Sequence, residues 1–364
     1  MSVRVSYDAQ IFRRERRGGI SRYFTELVGT YHREPSLGVI PSLPARLVAS
    51  KHLAEAGLGP RVVVPRALGR ASQLLPVSQS PGRGADLVHH TYYSPFVLRG
   101  DRRLPRVSTI HDMIPELMPE YFPRGNPHWA KRQHVEQSSG LVFVSEASRR
   151  DLLRLYGPQD VPMVVAPLAP GSTFHPRSLA GTPAPPFVVF VGARKGYKDF
   201  DTLLLALARL RAPGLSVVAV GGGSLSRAER ARVEELGLAG RVRQVCVSDE
   251  GLAHLYASAI ALVVPSRYEG FGLPVVEAMA TGCPVVASDI EVFREIADQA
   301  AEYFAVGDAD ALVVTLERVL GDDALRRSLR EAGLLRVRDF TWSRTARITA
   351  ELYREVLLGS RSWC

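Results

Sequence analysis

Short apolar runs alternate along the chain with segments whose apolar positions recur every third or fourth residue. Buried strands separated by amphipathic helices predict an α/β class with parallel sheets. In the first half the strand-like runs are Val3–Tyr7, Leu47–Ala49, Leu87–His90, Val107–Ile110, Gly140–Val144 and Met163–Val165. In the second half they are Phe187–Val191, Ser216–Val220, Val242–Val245, Ile260–Val264 and Pro284–Ala287. A Pro/Gly-rich stretch, Pro167–Pro176 followed by Ala180–Pro186, separates the two series and reads as a linker. Helix starts are legible at Ser145, at Ser248 and at about Pro274, and Trp342–Leu358 has one apolar face.

A length of 364 residues suits two such domains. With 46% hydrophobic and 23% charged residues the composition is that of an ordinary globular protein, so no long disordered tail is expected. No apolar run approaches the ~18 residues of a membrane span. The first residues read as a strand, without the apolar core of a signal peptide, so a cytoplasmic protein is expected. Cys246, Cys283 and Cys364 are scattered, which excludes a disulfide framework and a paired-cysteine metal site. Of the net charge of +9, about +10 falls within the first 110 residues. That basic half fits an anionic membrane or an acidic acceptor as well as plain Arg-rich composition. No nucleic-acid motif accompanies it, so nucleic acid is not expected as a partner.

The richest stretch is Pro265-Ser-Arg-Tyr-Glu-Gly-Phe-Gly-Leu-Pro-Val-Val-Glu-Ala-Met-Ala. A buried strand runs into a glycine turn, and a helix begins near Pro274. Backbone N–H groups around Gly270, Phe271, Gly272 and Leu273 would lie at the helix N-terminus, where unpaired donors and the helix dipole favour phosphate. Glu269 and Glu277 bracket the turn and could bind sugar hydroxyls; a strand–turn–helix with solvated glutamates is the plainer reading. In Phe190-Val-Gly-Ala-Arg-Lys-Gly-Tyr-Lys-Asp-Phe, a strand end is followed by Arg194, Lys195 and Lys198, cations that suit a diphosphate. Lys195 reads as solvent-facing. Arg17-Gly-Gly-Ile-Ser-Arg places Gly18 and Gly19 at a helix start and is not a dinucleotide fingerprint. Asp308-Ala-Asp310 has the look of a metal motif but reads as a helix cap, and no metal or cofactor is expected. His89-His90, beside Tyr92 and Tyr93, ends a strand and is given no role.

The Glu-Gly-Phe-Gly-Leu-Pro-x-x-Glu-Ala-Met-Ala-x-Gly-x-Pro-Val-Val segment resembles the signature of the family 4 retaining glycosyltransferases. The resemblance covers most of the chain, most strongly residues 185–290. It implies a GT-B fold: two facing Rossmann-like domains with the active site in the cleft between them. The expected acceptor domain is 1–170, with helix 342–358 packing back on it, and the donor domain is 171–341. By resemblance Glu269 contacts the transferred sugar, Glu277 the ribose, and Arg194 and Lys198 the leaving diphosphate. Asp199 stands where the family usually has Asn. Ser108-Thr-Ile-His-Asp-Met-Ile-Pro-Glu resembles the family's His-Asp motif, which places His111 near the donor sugar; Asp112 either orients it or faces the acceptor. Gly18 and Gly19 resemble the loop that closes on the donor, and Val247 a backbone contact for the base; Arg22 suits the acceptor side or a phosphate, a surface arginine being the plainer reading. The implied reaction is metal-independent hexosyl transfer from a nucleoside-diphosphate sugar, GDP-mannose being favoured. The acceptor is a saccharide, a lipid-linked molecule or a small molecule, with peripheral contact to the inner membrane face. A GT-B epimerase and a non-catalytic partner subunit are the rival readings.

Overall fold

The structure is a computed structural model that describes residues 2–15, 17–43, 50–58, 84–95, 97, 104–177, 185–194 and 196–361. The strand expected at Leu47–Ala49, together with Lys195 and Cys364, lies outside these residues. The chain divides into two compact units, Met1–Leu168 with Thr341–Cys364, and Ala169–Phe340.

In the first unit the described residues form strands β1 (Val3–Tyr7), β2 (Val39–Ser42), β3 (Leu87–His90), β4 (Arg106–Ile110), β5 (Gly140–Phe143) and β6 (Met163–Val165). They build one parallel sheet in the order β2-β1-β3-β4-β5-β6. The central strands are largely buried on both faces, as expected of a parallel sheet covered on both sides. β2 escapes a reading by apolar runs because Pro41 interrupts it and Ile40 is 51% exposed. Both are tolerable because β2 is an edge strand.

In the second unit the strands are β7 (Phe187–Val191), β8 (Ser216–Val220), β9 (Val242–Val245), β10 (Ala261–Val264), β11 (Val285–Ser288) and β12 (Ala301–Phe304). Their order is β12-β11-β10-β7-β8-β9, all parallel. This is the doubly wound arrangement in which chain order reverses at the middle, here between β7 and β10. β12, short, interrupted by Glu302 and only half buried, lies at the edge and gave no clear run. The unit's core joins Val188, Phe190, Val217 and Val263 of the sheet to Leu203 and Leu207 of helix Phe200–Arg209 and to Leu312 and Leu316 of helix Ala309–Gly321.

The last helix, Trp342–Arg361, belongs to the first unit. Its buried positions Trp342, Thr345, Ala346, Thr349, Ala350, Tyr353 and Val356 follow the helical period. Tyr353 anchors it: its hydroxyl meets Tyr7 Oη at 2.8 Å and His89 Nδ1 at 2.6 Å, and His89 Nε2 meets Thr109 Oγ1 at 2.8 Å. Both nitrogens of His89 are therefore used inside the core. Close approach to the sheet depends on Gly140, where a Cβ would stand 2.6 Å from Val356 Cγ2. Among the described residues no helix is long and apolar enough to cross a membrane.

Gly140→Ala should therefore lower stability by about 1–3 kcal/mol through overpacking, and Val356→Ala in the same chain should recover part of the loss; chemical denaturation of the single and double variants measures both. A second prediction concerns four histidines of this unit whose affinity for protons is depressed. Burial holds His89 and His111 down to about 3 and His128 and His134 down to about 4. An unfolded chain takes up protons at these positions below about pH 6.5, which the fold resists. Stability is then present above that pH and falls as pH drops toward 4, each histidine contributing up to about 1.4 kcal/mol per pH unit. A denaturant midpoint that stays flat from pH 7 to pH 4.5 would contradict this.

Candidate functional site

Strands β7 and β10 run side by side, and the connections after them leave in opposite directions. Ligands of doubly wound sheets bind outside the carboxyl ends at such a reversal. Beyond β7 the chain makes a short turn, Gly196–Lys198; beyond β10 it makes the loop of Ser266–Gly272. The two meet. Lys198 Nζ donates to Glu269 Oε1 at 2.5 Å, and Ser266 Oγ donates to the same oxygen at 2.7 Å. Glu269 is nearly buried, and its carboxylate is oriented by one cation and one hydroxyl. The Lys198 side chain is 19% exposed, so the pair lies at the mouth of the edge and not beneath it.

Helix Leu273–Thr281 follows, with Pro274 in its first turn and Gly272 as its left-handed cap (φ 102°). Gly272 is constrained twice, because a Cβ there would also meet Phe293 at 2.9 Å. The first turn of this helix holds no acidic side chain, so its dipole faces the edge uncompensated by a local carboxylate. Phe271 turns inward and packs edge-on against Phe340. Glu277, 3% exposed, accepts a hydrogen bond from Tyr256 at 3.4 Å. Val247 is exposed beside Ser248, which caps helix Asp249–Ser258 through Gly251 N.

The two cations expected on one diphosphate are differently placed. Arg194 is buried against the turn Gly221–Ser224. It donates to the carbonyls of Gly221 (2.6 Å), Gly223 (2.8 Å) and Ser224 (3.2 Å), and its Nε donates to Glu229 at 2.9 Å. Gly221, Gly222 and Gly223 all take left-handed backbone angles, and a Cβ on Gly222 would stand 2.8 Å from the guanidinium. Arg194 therefore braces the glycine turn, while Lys198 carries the outward-facing charge. Asp199, in place of Asn, adopts φ 48° and pairs with Arg267 at 2.9 Å. Asp and Asn are the side chains best suited to that left-handed backbone, which explains why the exchange is tolerated. Asp308 accepts from the N–H groups of Asp310 and Ala311 at 2.9 Å each, a helix cap as expected. A hollow of about 230 Å³ lined by Arg326, Arg327 and Arg330 lies at the amino ends of β10 and β11, the opposite edge of the sheet. Arg326 is spent on the carbonyls of Val319 and Leu320 and Arg330 on that of Gly282, so they serve helix ends.

In the first unit the order reverses between β1 and β3. Asp8, just past β1, takes hydrogen bonds from His90 Nδ1 (2.8 Å), Thr91 Oγ1 (2.6 Å) and Gln10 Nε2 (2.6 Å), which locks the two strand ends together. His111 follows β4. Its ring stands edge-on to Tyr23 (5.2 Å) and Phe24 (5.9 Å), and among the described residues its buried Nε2 has no hydrogen-bond partner. Burial first, then the charges of His128 and Lys131, outweigh Asp112 and hold the imidazole neutral down to about pH 3. Burial pushes Asp112 up, but the charge of Lys131 and the N–H of Ile114 prevail and keep its carboxyl below the usual range.

Gly18 and Gly19 do open a helix, Gly19–Arg33, and its first turn already meets an anion. Glu15 Oε2 accepts from Ser21 N at 2.7 Å, and a Cβ on Gly18 would collide with that carboxylate at 2.1 Å. Arg22 lies in this first turn, its N–H bonded to Gly18 O at 3.1 Å. Sequence reasoning passed over Glu15, Ser266, Glu229 and Lys131; of these only Ser266, three residues before Glu269, carried a local signal.

Residues 17–169 match the family described as Glycosyltransferase Family 4, and residues 173–336 that described as Glycosyl transferases group 1. The chain is 28% identical over 288 residues to the O-antigen chain mannosyltransferase B of Escherichia coli, covering 74% of this chain and 75% of that protein. It is 32% identical over 308 residues to the D-inositol 3-phosphate glycosyltransferase of Jonesia denitrificans, covering 76% and 73%. Among solved structures it is similar to sucrose-phosphate synthase from Thermosynechococcus elongatus, with a TM-score of 0.75 at 24% identity over 99% of this chain and 100% of that one. Two Rossmann-like units of the GT-B fold, each carrying its polar cluster at the carboxyl edge of the sheet, and these matches along almost the whole chain make it a glycosyltransferase of family 4.

Proposed function

We propose that the chain transfers a hexosyl unit from a nucleoside-diphosphate sugar to an acceptor hydroxyl, with retention at the anomeric carbon and without a metal. The observation that carries this reading is the Lys198–Glu269 pair with Ser266, set across the strand reversal beside the N-terminus of helix Leu273–Thr281. The helix terminus and Lys198 supply positive charge for the leaving diphosphate. Glu269 holds the sugar hydroxyls and offsets positive charge developing at the ring, while Glu277 with Tyr256 takes the ribose. In front-face transfer the anomeric carbon–oxygen bond breaks, the acceptor oxygen forms its bond on the same face, and its proton passes to the leaving phosphate oxygen. Glu269 acts by position and charge, not as a nucleophile. His111, neutral and with Nε2 unpartnered, is suited to a sugar hydroxyl.

Similarity to the Escherichia coli mannosyltransferase supports GDP-mannose as the donor. The basic first 110 residues and Trp129, 64% exposed, suit a saccharide or lipid-linked acceptor presented at an anionic surface.

Thermal unfolding with GDP-, UDP-, dTDP- and ADP-linked sugars tests the donor site. One nucleotide family should raise apparent stability, by about 2.7 kcal/mol at a hundredfold excess over its dissociation constant; no response to any of them would remove the reading. Glu269→Ala should lower turnover by about 10²–10³-fold with the fold retained; an unchanged rate would refute its role. Arg194→Lys keeps the charge but loses the fork of donors. It should cost about 2–3 kcal/mol in denaturation and weaken nucleotide binding by loosening Gly221–Ser224; full stability would show that the brace is dispensable.

A further inference from the structure

Lys131, the first residue of helix Lys131–Glu136, is completely buried, an unusual place for a lysine. Its ammonium donates to the backbone carbonyl of Asp112 at 2.8 Å and to Glu116 Oε2 at 2.8 Å, with Asp112 Oδ1 at 3.9 Å and the Tyr93 ring centroid at 5.4 Å. Glu116 is held in turn by Asn126 Nδ2 at 3.0 Å and by the Tyr156 hydroxyl at 3.3 Å. Asp112 lies in the turn His111–Met113 that leads from β4 into helix Ile114–Leu117, and Glu116 lies within that helix. One ammonium thus ties the turn that carries His111 to the helix that follows it.

Stability alone does not account for this arrangement. A buried ion pair often adds nothing over well-packed apolar side chains of the same volume, because desolvation offsets the Coulomb gain. An apolar side chain could fill the space, but it could not donate to the Asp112 carbonyl. Nor could it place a positive charge beside Asp112.

We propose that Lys131 is a positioning residue for glycosyl transfer, fixing the His111–Asp112 turn through the Asp112 carbonyl and Glu116 so that His111 is presented to the donor. The inference rests on the role of His111 given above. The ammonium acts as a charge as well as a tether. It opposes protonation of His111, together with His128, while Asp112 favours it; Tyr23 and Phe24 of helix Gly19–Arg33 cover the ring from the other side.

The test uses the full chain and a paired variant, Lys131→Met with Glu116→Gln, which removes both charges of the buried pair. Folding is checked by near-ultraviolet circular dichroism and thermal unfolding. Lys131→Met alone is the comparison; it should be less stable than the pair, because Glu116 keeps its charge and loses its partner. Transfer kinetics with the responding nucleotide sugar and an NMR titration of the His111 imidazole are then measured. In the folded pair variant turnover should fall on the order of a hundredfold, the scale of a misplacement of about 1 Å. KM for the donor should change far less, and the His111 titration should move upward from about 3. A folded pair variant with wild-type turnover and an unmoved His111 titration would overturn the proposal while leaving the glycosyltransferase reading intact. His111→Ala separates the two ideas: if it keeps full turnover, the role of His111 fails and the inference fails with it.

Discussion

The site in the second unit depends on one topological constraint, the reversal of strand order between β7 and β10. A parallel strand must be followed by a crossover, and right-handed crossovers leaving β7 and β10 in opposite directions open a crevice at their carboxyl ends. Lys198 and Glu269 are 71 residues apart in sequence and reach 2.5 Å because their strands are neighbours in the sheet. Everything else at that edge is placed relative to this pair. Ser266 orients the carboxylate, Gly272 starts the helix, and Arg194 stiffens the turn after β8, the next strand over.

The first unit meets the same constraint with a different result. At its reversal, between β1 and β3, Asp8 is saturated by His90, Thr91 and Gln10. That network spends its polar groups on joining strand ends. Among the described residues, His90 Nε2 of this network and, one strand further on, His111 Nε2 are buried without a hydrogen-bond partner. His89, by contrast, uses both ring nitrogens to dock the last helix. Two histidines at neighbouring strand ends thus differ in role through hydrogen-bond satisfaction alone, a distinction that burial by itself would not make.

Much of this was legible in the sequence, for identifiable reasons. Phe187–Val191 and Ser216–Val220 are inner strands buried on both faces, and such strands appear as nearly unbroken apolar runs. β2 and β12 are edge strands, where Pro41 and Glu302 are tolerable and the run disappears. The glycine turn and Glu269 were legible because a phosphate-binding strand–turn–helix needs a local pattern. Lys131 and Glu15 were not. A lysine opening a helix looks like a solvated side chain until the fold closes a carbonyl and two carboxylates around it. Glu15 caps the helix from three residues before Gly18, outside the spacing of a capping box. The division of labour between Arg194 and Lys198 was equally hidden, since four residues of chain do not say which cation turns inward.

Apart from the N-terminus of helix Leu273–Thr281, three positive elements at these edges already have a carboxylate of the chain as partner. Glu269 meets Lys198, Glu229 meets Arg194, and Glu15 meets the first turn of helix Gly19–Arg33. Leaving such cations and N–H groups without partners would cost stability wherever they are partly desolvated. On the proposed reading, a diphosphate entering the edge of the second unit exchanges partners at Lys198 and does not simply gain them. The Coulomb gain from any one contact is reduced by the internal bond it displaces, so affinity must come from several exchanges made together. The exchange is easiest where the partner stays useful after release. On the proposed reading, Glu269 released from Lys198 still has Ser266 to orient it and turns to the sugar hydroxyls. Glu229 is also committed to capping its own helix, its Oε2 accepting from Ser226 N at 2.6 Å, and Arg194 is held as well by the carbonyls of the glycine turn. The same two cations therefore divide into one that can change partners during binding and one whose bonds hold the surface in shape.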